Sequence, residues 1–171
     1  MKFILSIVAF VLLILILNFL IPIIYRDVEF TKSQKTIVEQ IDVIMNEEVD
    51  IEILSLDPKV CGRHPNDNDY FHDYKILGRI KVEGLEDQKS LISALKKSIL
   101  ENKGMVAKCF NPRHGIRFTK GTRKIDLVIC FECFSAQCFG MNNDIGFLLT
   151  GSAAPSFNAF LTKMNIPLAN E

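Results

Sequence analysis

The chain predicts an α+β domain, a mostly antiparallel sheet with about three packed helices, after one N-terminal transmembrane helix. Three observations lead there. An apolar run opens the chain. Short segments alternating apolar and polar residues are separated by turn residues, as in half-buried strands. Three further segments carry apolar residues at helical spacing, and strands in runs beside helices point to an antiparallel sheet.

From Phe3 to Ile24 only Ser6, Asn18 and Pro22 interrupt Ile, Leu, Val, Phe and Ala. Such a helix rises roughly 33 Å, enough to cross a hydrocarbon core of about 30 Å. A helix satisfies its own backbone in lipid, so this composition can span. A cleaved signal peptide has a shorter apolar region ending in small residues. Here the run ends Phe19-Leu20-Ile21-Pro22-Ile23-Ile24-Tyr25, so residues 1–25 are expected to be an uncleaved signal anchor and residues 26–171 one α+β domain. No cysteine follows the run directly, which argues against a lipidated start. Lys2 before the span and Arg26, Lys32 and Lys35 after it slightly favour an internal domain. A short tail followed at once by a span is nevertheless the usual form of an exporting anchor. The expected location is the cell membrane, single-pass, with the C-terminal domain extracytoplasmic.

The whole chain has 20 basic and 20 acidic residues, and beyond residue 25 the balance is 19 to 20. That excludes the electrostatic footprint of a nucleic-acid binder and leaves no polybasic patch for a lipid surface.

Thr31-x-x-Gln34 fits a capping box, and Ile37, Val38, Ile41, Ile44 and Met45 follow at helical spacing, predicting a helix over 32–47. Asp50–Leu56 alternates as a strand ended by Asp57-Pro58, with a loop over 58–70. Residues 74–82 alternate again. Leu85–Lys103 is the clearest helix, with Leu91, Ile92, Leu95 and Ile99 as its stripe and Gly104 as its stop. Strands are expected at about 105–110, 115–119, 124–134 and 145–149, with a hairpin turn at Lys120-Gly121. Pro155–Met164 predicts the last helix, its inward residues Phe157, Phe160, Leu161 and Met164.

Chemistry concentrates in residues 109–138, which hold four of the five cysteines. They read Cys109-Phe110-Asn111-Pro112-Arg113-His114-Gly115, then Cys130-Phe131-Glu132-Cys133. This pair of phrases resembles a family of uncharacterised bacterial proteins that are membrane-anchored or lipoprotein-like. The resemblance runs from Leu54-Ser55-Leu56-Asp57-Pro58, through Tyr74-Lys75-Ile76-Leu77-Gly78, to Phe157-Asn158-Ala159-Phe160-Leu161 and Ile166-Pro167. It implies a grouping and no mechanism.

Four readings of the cysteines compete. Zinc is the first: Cys109, His114, Cys130 and Cys133 are ligands of the right type. But Ile-Cys-Phe-Glu-Cys-Phe reads as strand, where Cys130 and Cys133 face opposite sides. Thiol–disulfide exchange is the second, and no credible helix follows Cys130 to lower its pKa. The third makes Cys109 a nucleophile with His114 as base. The fourth, which the residues favour, is a structural bridge. With the hairpin centred on Gly121, Cys109 falls opposite Cys133, or Cys130 if Asn111-Pro112 shifts the register; Cys61 is the expected free thiol.

Arg113, His114 and Arg117 form a cationic cluster that can hold a carboxylate or phosphate. The blander reading pairs Arg113 and Arg117 with Glu132 or Asp126 on a neighbouring strand and lets His114 cap a turn. The Asp67-Asn68-Asp69 loop lacks the glycine and distal glutamate of a calcium loop, and His64 and His72 beside it read as surface residues. The candidate cluster is therefore Cys109, Arg113, His114, Cys130, Glu132 and Cys133, with no catalytic residue and no cofactor assigned. The expected function is a membrane-tethered envelope domain that binds a protein or peptide, not an enzyme. The alternative is a thiol- or zinc-dependent enzyme using Cys109, His114, Cys130 and Cys133.

Overall fold

The computed structural model describes residues 14–16, 18, 20, 34–45, 49–62, 68–141 and 144–170. Backbone contacts divide the chain into two compact units, Met1–Ser33 and Gln34–Glu171. Most of the anchor expected over 1–25 lies outside the described residues. Among those described, no helix is long and apolar enough to cross a membrane.

In the second unit, helix α1 covers 34–45. Strands β1 (Asp50–Cys61), β2 (Tyr70–Phe71) and β3 (Tyr74–Lys81) follow, then helix α2 (Leu85–Glu101). Next come β4 (His114–Lys120), β5 (Arg123–Cys130), β6 (Ser135–Phe139) and β7 (Ile145–Leu148). A 3-10 turn, Gly151–Ala153, leads into helix α3 (Ala154–Lys163). The seven strands make one sheet in the order β2-β3-β1-β4-β5-β6-β7, and every neighbouring pair is antiparallel. The α+β expectation with an antiparallel sheet holds.

One face of the sheet carries the main core. Ile51, Ile53, Ile116, Phe118, Ile125, Leu127 and Ile129 meet the inward stripes of the three helices. Those stripes are the ones their spacing announces: Ile37, Val38, Ile41 and Ile44 on α1, Leu91, Ile92, Leu95 and Ile99 on α2, Phe157, Phe160 and Leu161 on α3. Met164 departs from expectation; it follows α3 and is exposed. α1 packs into the core through Ile37, Val38, Ile41 and Ile44. The capping box expected at Thr31 and Gln34 reaches outside the described residues; the Gln34 carboxamide is buried and donates to the Ile99 and Asn102 carbonyls at 2.6 and 3.0 Å, satisfying orphan groups at the C-terminus of α2. α2 ends before Lys103, at the C-cap Asn102, whose side chain bonds the Leu149 carbonyl at 2.7 Å and the Gly104 and Met105 amides.

The opposite face holds a smaller cluster of Leu54, Leu56, Phe71 and Val128. Phe71 lies flat enough on the sheet that a Cβ at Gly115 would stand 2.8 Å from its ring. Glycine is required there by close approach, not by backbone angle. Beside it Arg117 makes a two-pronged pair with Asp126, at 2.8 and 2.7 Å, and stands 5.0 Å from the Phe71 ring centre. His72, expected at the surface, instead bonds Asp126 at 3.0 Å and stacks on Phe139. Burial alone would raise the Asp126 carboxyl. The hydrogen bonds from Arg117 and His72 outweigh it and hold the group below its ordinary value.

Three strand boundaries differ from expectation. β1 runs through Asp57-Pro58 to Cys61 by means of register shifts after Ser55 and Asp57. Its ladder with β4 ends at Ser55, so Pro58 interrupts no bond on that side. Residues 105–110 form no strand. β5 stops at Cys130, and residues 131–134 turn back into β6, a strand the sequence reading missed.

Candidate functional site

The site grows from the end of β5. Ile129 is its last residue paired across to β4, opposite His114, and Cys130 pairs only with Ser135 of β6. Between them the chain reverses over Phe131–Phe134. No glycine relaxes this reversal. Phe134 takes a left-handed φ of 56°, which a bulky residue enters only when its surroundings hold it there. Those surroundings are visible: the Leu149 amide donates to the Phe134 carbonyl at 3.2 Å, and the Ala107 amide to the Cys133 carbonyl at 3.0 Å.

Cys130 and Cys133 are bonded to each other across this turn, with Cα atoms 5.1 Å apart. This corrects the expected Cys109–Cys133 or Cys109–Cys130 bridge. The objection that Cys130 and Cys133 face opposite sides holds for a strand, but a turn brings i and i+3 together. The hairpin estimate failed because Cys109 is not in the ladder at all; β4 begins only at His114. Yet the loop carrying Cys109 lies against the turn. Cys109 Sγ is 3.6 Å from Cys133 Sγ, and Cys109 is exposed while Cys130 and Cys133 are each 1% exposed. Two backbone amides also point at the bridge: Asn111 N–H donates to Cys133 Sγ at 3.3 Å, and Cys133 N–H to Cys130 Sγ at 3.1 Å. Cys138 stands apart on the core face, its thiol pushed up to about 12 by burial and by Asp144 and Asp126.

Arg113 and His114 enter from the start of β4. Arg113 pairs with Glu132 of the turn, and Arg117 with Asp126, the blander pairing the sequence allowed. His114 does not cap a turn. It belongs to the row Ser55, His114, Ile129, Ala136, Phe147 that register places on the core face. Its Nε2 donates to Asn158 Oδ1 of α3 at 2.8 Å, and Phe131 and Phe157 meet its ring edge-on. Burial, joined by the nearby Arg113 charge, pushes the imidazole down to about 4 despite the Asn158 bond. The ring is therefore neutral at pH 7, with Nδ1 as its acceptor atom. It sits 44 residues from Asn158, and sequence spacing did not pair them. A signal existed: Asn158 is a polar residue beside Phe157 on the inward stripe of α3.

These pieces surround a pocket of about 190 Å³. Asn111, Arg113 and His114 form one wall, and Phe131 and Glu132, the two residues between the bridged cysteines, form another. Ala154 and Asn158 of α3 and Leu168 and Ala169 of the C-terminal tail complete it. The cluster Cys109, Arg113, His114, Cys130, Glu132 and Cys133 thus converges on one end of the sheet. The zinc set does not assemble. His114 is turned toward Asn158, two of the sulfurs are spent on each other, and among the described residues no three His, Cys, Asp or Glu side chains are grouped to hold a metal ion.

No known protein family and no curated protein matches the chain. A crystal structure described as a "Putative Lipoprotein from Clostridium perfringens" is similar over 78% of this chain and 96% of that one, with 12% identity and a TM-score of 0.44. At that similarity it says nothing further about fold detail or activity.

Proposed function

We propose that the chain is a membrane-tethered domain of the cell envelope that binds a polypeptide partner in the pocket beside the Cys130–Cys133 turn. The observation that carries this reading is the pocket itself. It is about 190 Å³ in volume and combines apolar walls, Phe131 and Leu168, with the polar groups of Asn111, Arg113 and Asn158. Mixed lining of that kind suits a side chain presented on an extended peptide. Two further features support the setting. The apolar run over 3–24 has the length and composition of an anchor, and a disulfide persists in an oxidising compartment.

Two measurements test it. A membrane-impermeant maleimide should label exposed Cys109 in intact cells; labelling only after lysis would place the domain inside. Benzoylphenylalanine in place of Leu168, irradiated in intact cells, should give one discrete adduct. Arg113→Glu should abolish that adduct, and Lys97→Ala, on the exposed side of α2, should leave it. No adduct, or one indifferent to Arg113→Glu, would overturn partner binding at this pocket.

A further inference from the structure

We propose that Cys109 is the entry point of a thiol–disulfide relay, through which the domain exchanges its Cys130–Cys133 bridge with a cysteine pair on the bound polypeptide. The inference rests on the partner reading for its substrate class, and on three sulfurs for its chemistry. A structural bridge needs two cysteines. Here a third sulfur lies 3.6 Å from one end of the bridge, close to the starting distance for attack. Cys133 has no proton to give while it is bridged, so the thiol of that contact belongs to Cys109.

The backbone places Cys109 there. The amides of Ala107 and Asn111, two residues before and two after it, both donate to Cys133, one to its carbonyl and one to its sulfur. The segment between these anchors can only arch over the bridge. Exposure then assigns the order of events. Cys130 and Cys133 are each 1% exposed, so an outside thiol reaches neither, while Cys109 faces solvent.

The steps balance without an added oxidant. Cys109 loses its proton to solvent, and the thiolate attacks Cys133 Sγ. The Sγ109–Sγ133 bond forms as the Sγ133–Sγ130 bond breaks, and Cys130 leaves as a thiolate and takes a proton. The Cys133 amide already donates to the Cys130 sulfur, which favours that sulfur as the leaving group. A partner thiolate then attacks Cys109, now the exposed end of the bridge. It forms a mixed disulfide and releases Cys133, whose sulfur receives the Asn111 amide. The partner's second thiol displaces Cys109. The partner's dithiol has become a disulfide, the domain's bridge has become a dithiol, and Cys109 is a thiol again. The reverse sequence reduces a partner disulfide.

The test uses the full chain in detergent, with reduced glutathione as probe, acid quenching and peptide mapping under non-reducing conditions. The wild type should give a glutathione adduct on Cys109 and a Cys109–Cys133 linked peptide. Cys109→Ser should slow reduction of the Cys130–Cys133 bridge at least tenfold. Cys130→Ser should isolate with Cys109 and Cys133 bridged, a result independent of how well Cys109→Ser folds. Reduction of Cys109→Ser within twofold of wild type would overturn the relay. So would Cys130→Ser with Cys109 and Cys133 both free. The photo-adduct at residue 168, repeated in Cys109→Ser, separates the two claims. An intact adduct with Cys130–Cys133 reduction unchanged in Cys109→Ser leaves a binding domain without the relay; slowed reduction in Cys109→Ser with no adduct in the wild type leaves the relay without this docking pocket.

Discussion

The neutral His114 makes stability depend on pH in a window that can be worked out. In the unfolded chain the imidazole has its ordinary value of 6.5, and in the folded domain it lies at about 4. Between those values the unfolded state binds the extra proton, so stability falls as pH falls. The contribution is fully present above 6.5 and is lost progressively down to about 4. At about 1.4 kcal/mol for each pH unit, the loss comes to roughly 3 kcal/mol across the window. Asp126, held below its ordinary carboxylate value by Arg117 and His72, loses its own contribution only at more acid pH. Urea unfolding of the wild type from pH 7.5 to 4.5, followed by far-UV circular dichroism, should show the midpoint dropping as pH is lowered. His114→Gln can still reach Asn158 and has no proton to gain, so it should flatten that slope while lowering stability at pH 7.5. An equal slope in the wild type and His114→Gln would refute the assignment.

Other expectations follow from packing. A fragment starting at Asp27 should be soluble and folded, since the core of the second unit draws on residues from Ile37 onward; aggregation of that fragment, checked by gel filtration, would count against it. Leu95→Ala, fully buried on α2, should cost about 2–5 kcal/mol, while Lys97→Ala, exposed and paired with Glu101 one turn along the helix, should change stability by no more than about 0.5 kcal/mol. Equal costs in urea unfolding would show the helix face misread. Gly115→Ala should cost about 1–3 kcal/mol, because its Cβ meets Phe71 at 2.8 Å. Adding Phe71→Leu should recover part of that loss, and strict additivity would show the two do not collide.

Much of the architecture was legible because it is written in local periodicity. The stripe of Leu91, Ile92, Leu95 and Ile99, the alternation over 74–82 and the turn at Lys120-Gly121 each depend on residues a few positions apart. Gly121 does adopt a positive φ, 55°, and Lys120 pairs with Arg123 across it. The candidate cluster was legible for a different reason: four cysteines, three arginines and a histidine fall within the thirty residues 109–138, and that segment stands out by residue type alone.

What periodicity could not reach is where distant segments act on each other. Gln34 looks like its own helix's cap, yet it serves the end of α2, 65 residues away. Lys96 looks outward on α2, yet it pairs with Asp42 of α1. The turn at Cys130–Cys133 is the sharpest case. Ile-Cys-Phe-Glu-Cys-Phe contains no turn-forming residue, so propensity reads it as strand. Amides of Ala107 and Leu149 and the sulfur bond hold it as a turn, with Phe134 in the left-handed region. Sequence alone thus determined the helices, most of the strands and the residue types at the site. Only the tertiary structure decided which sulfur bonds which, because that choice depends on where an unpaired loop comes to rest against the end of a sheet.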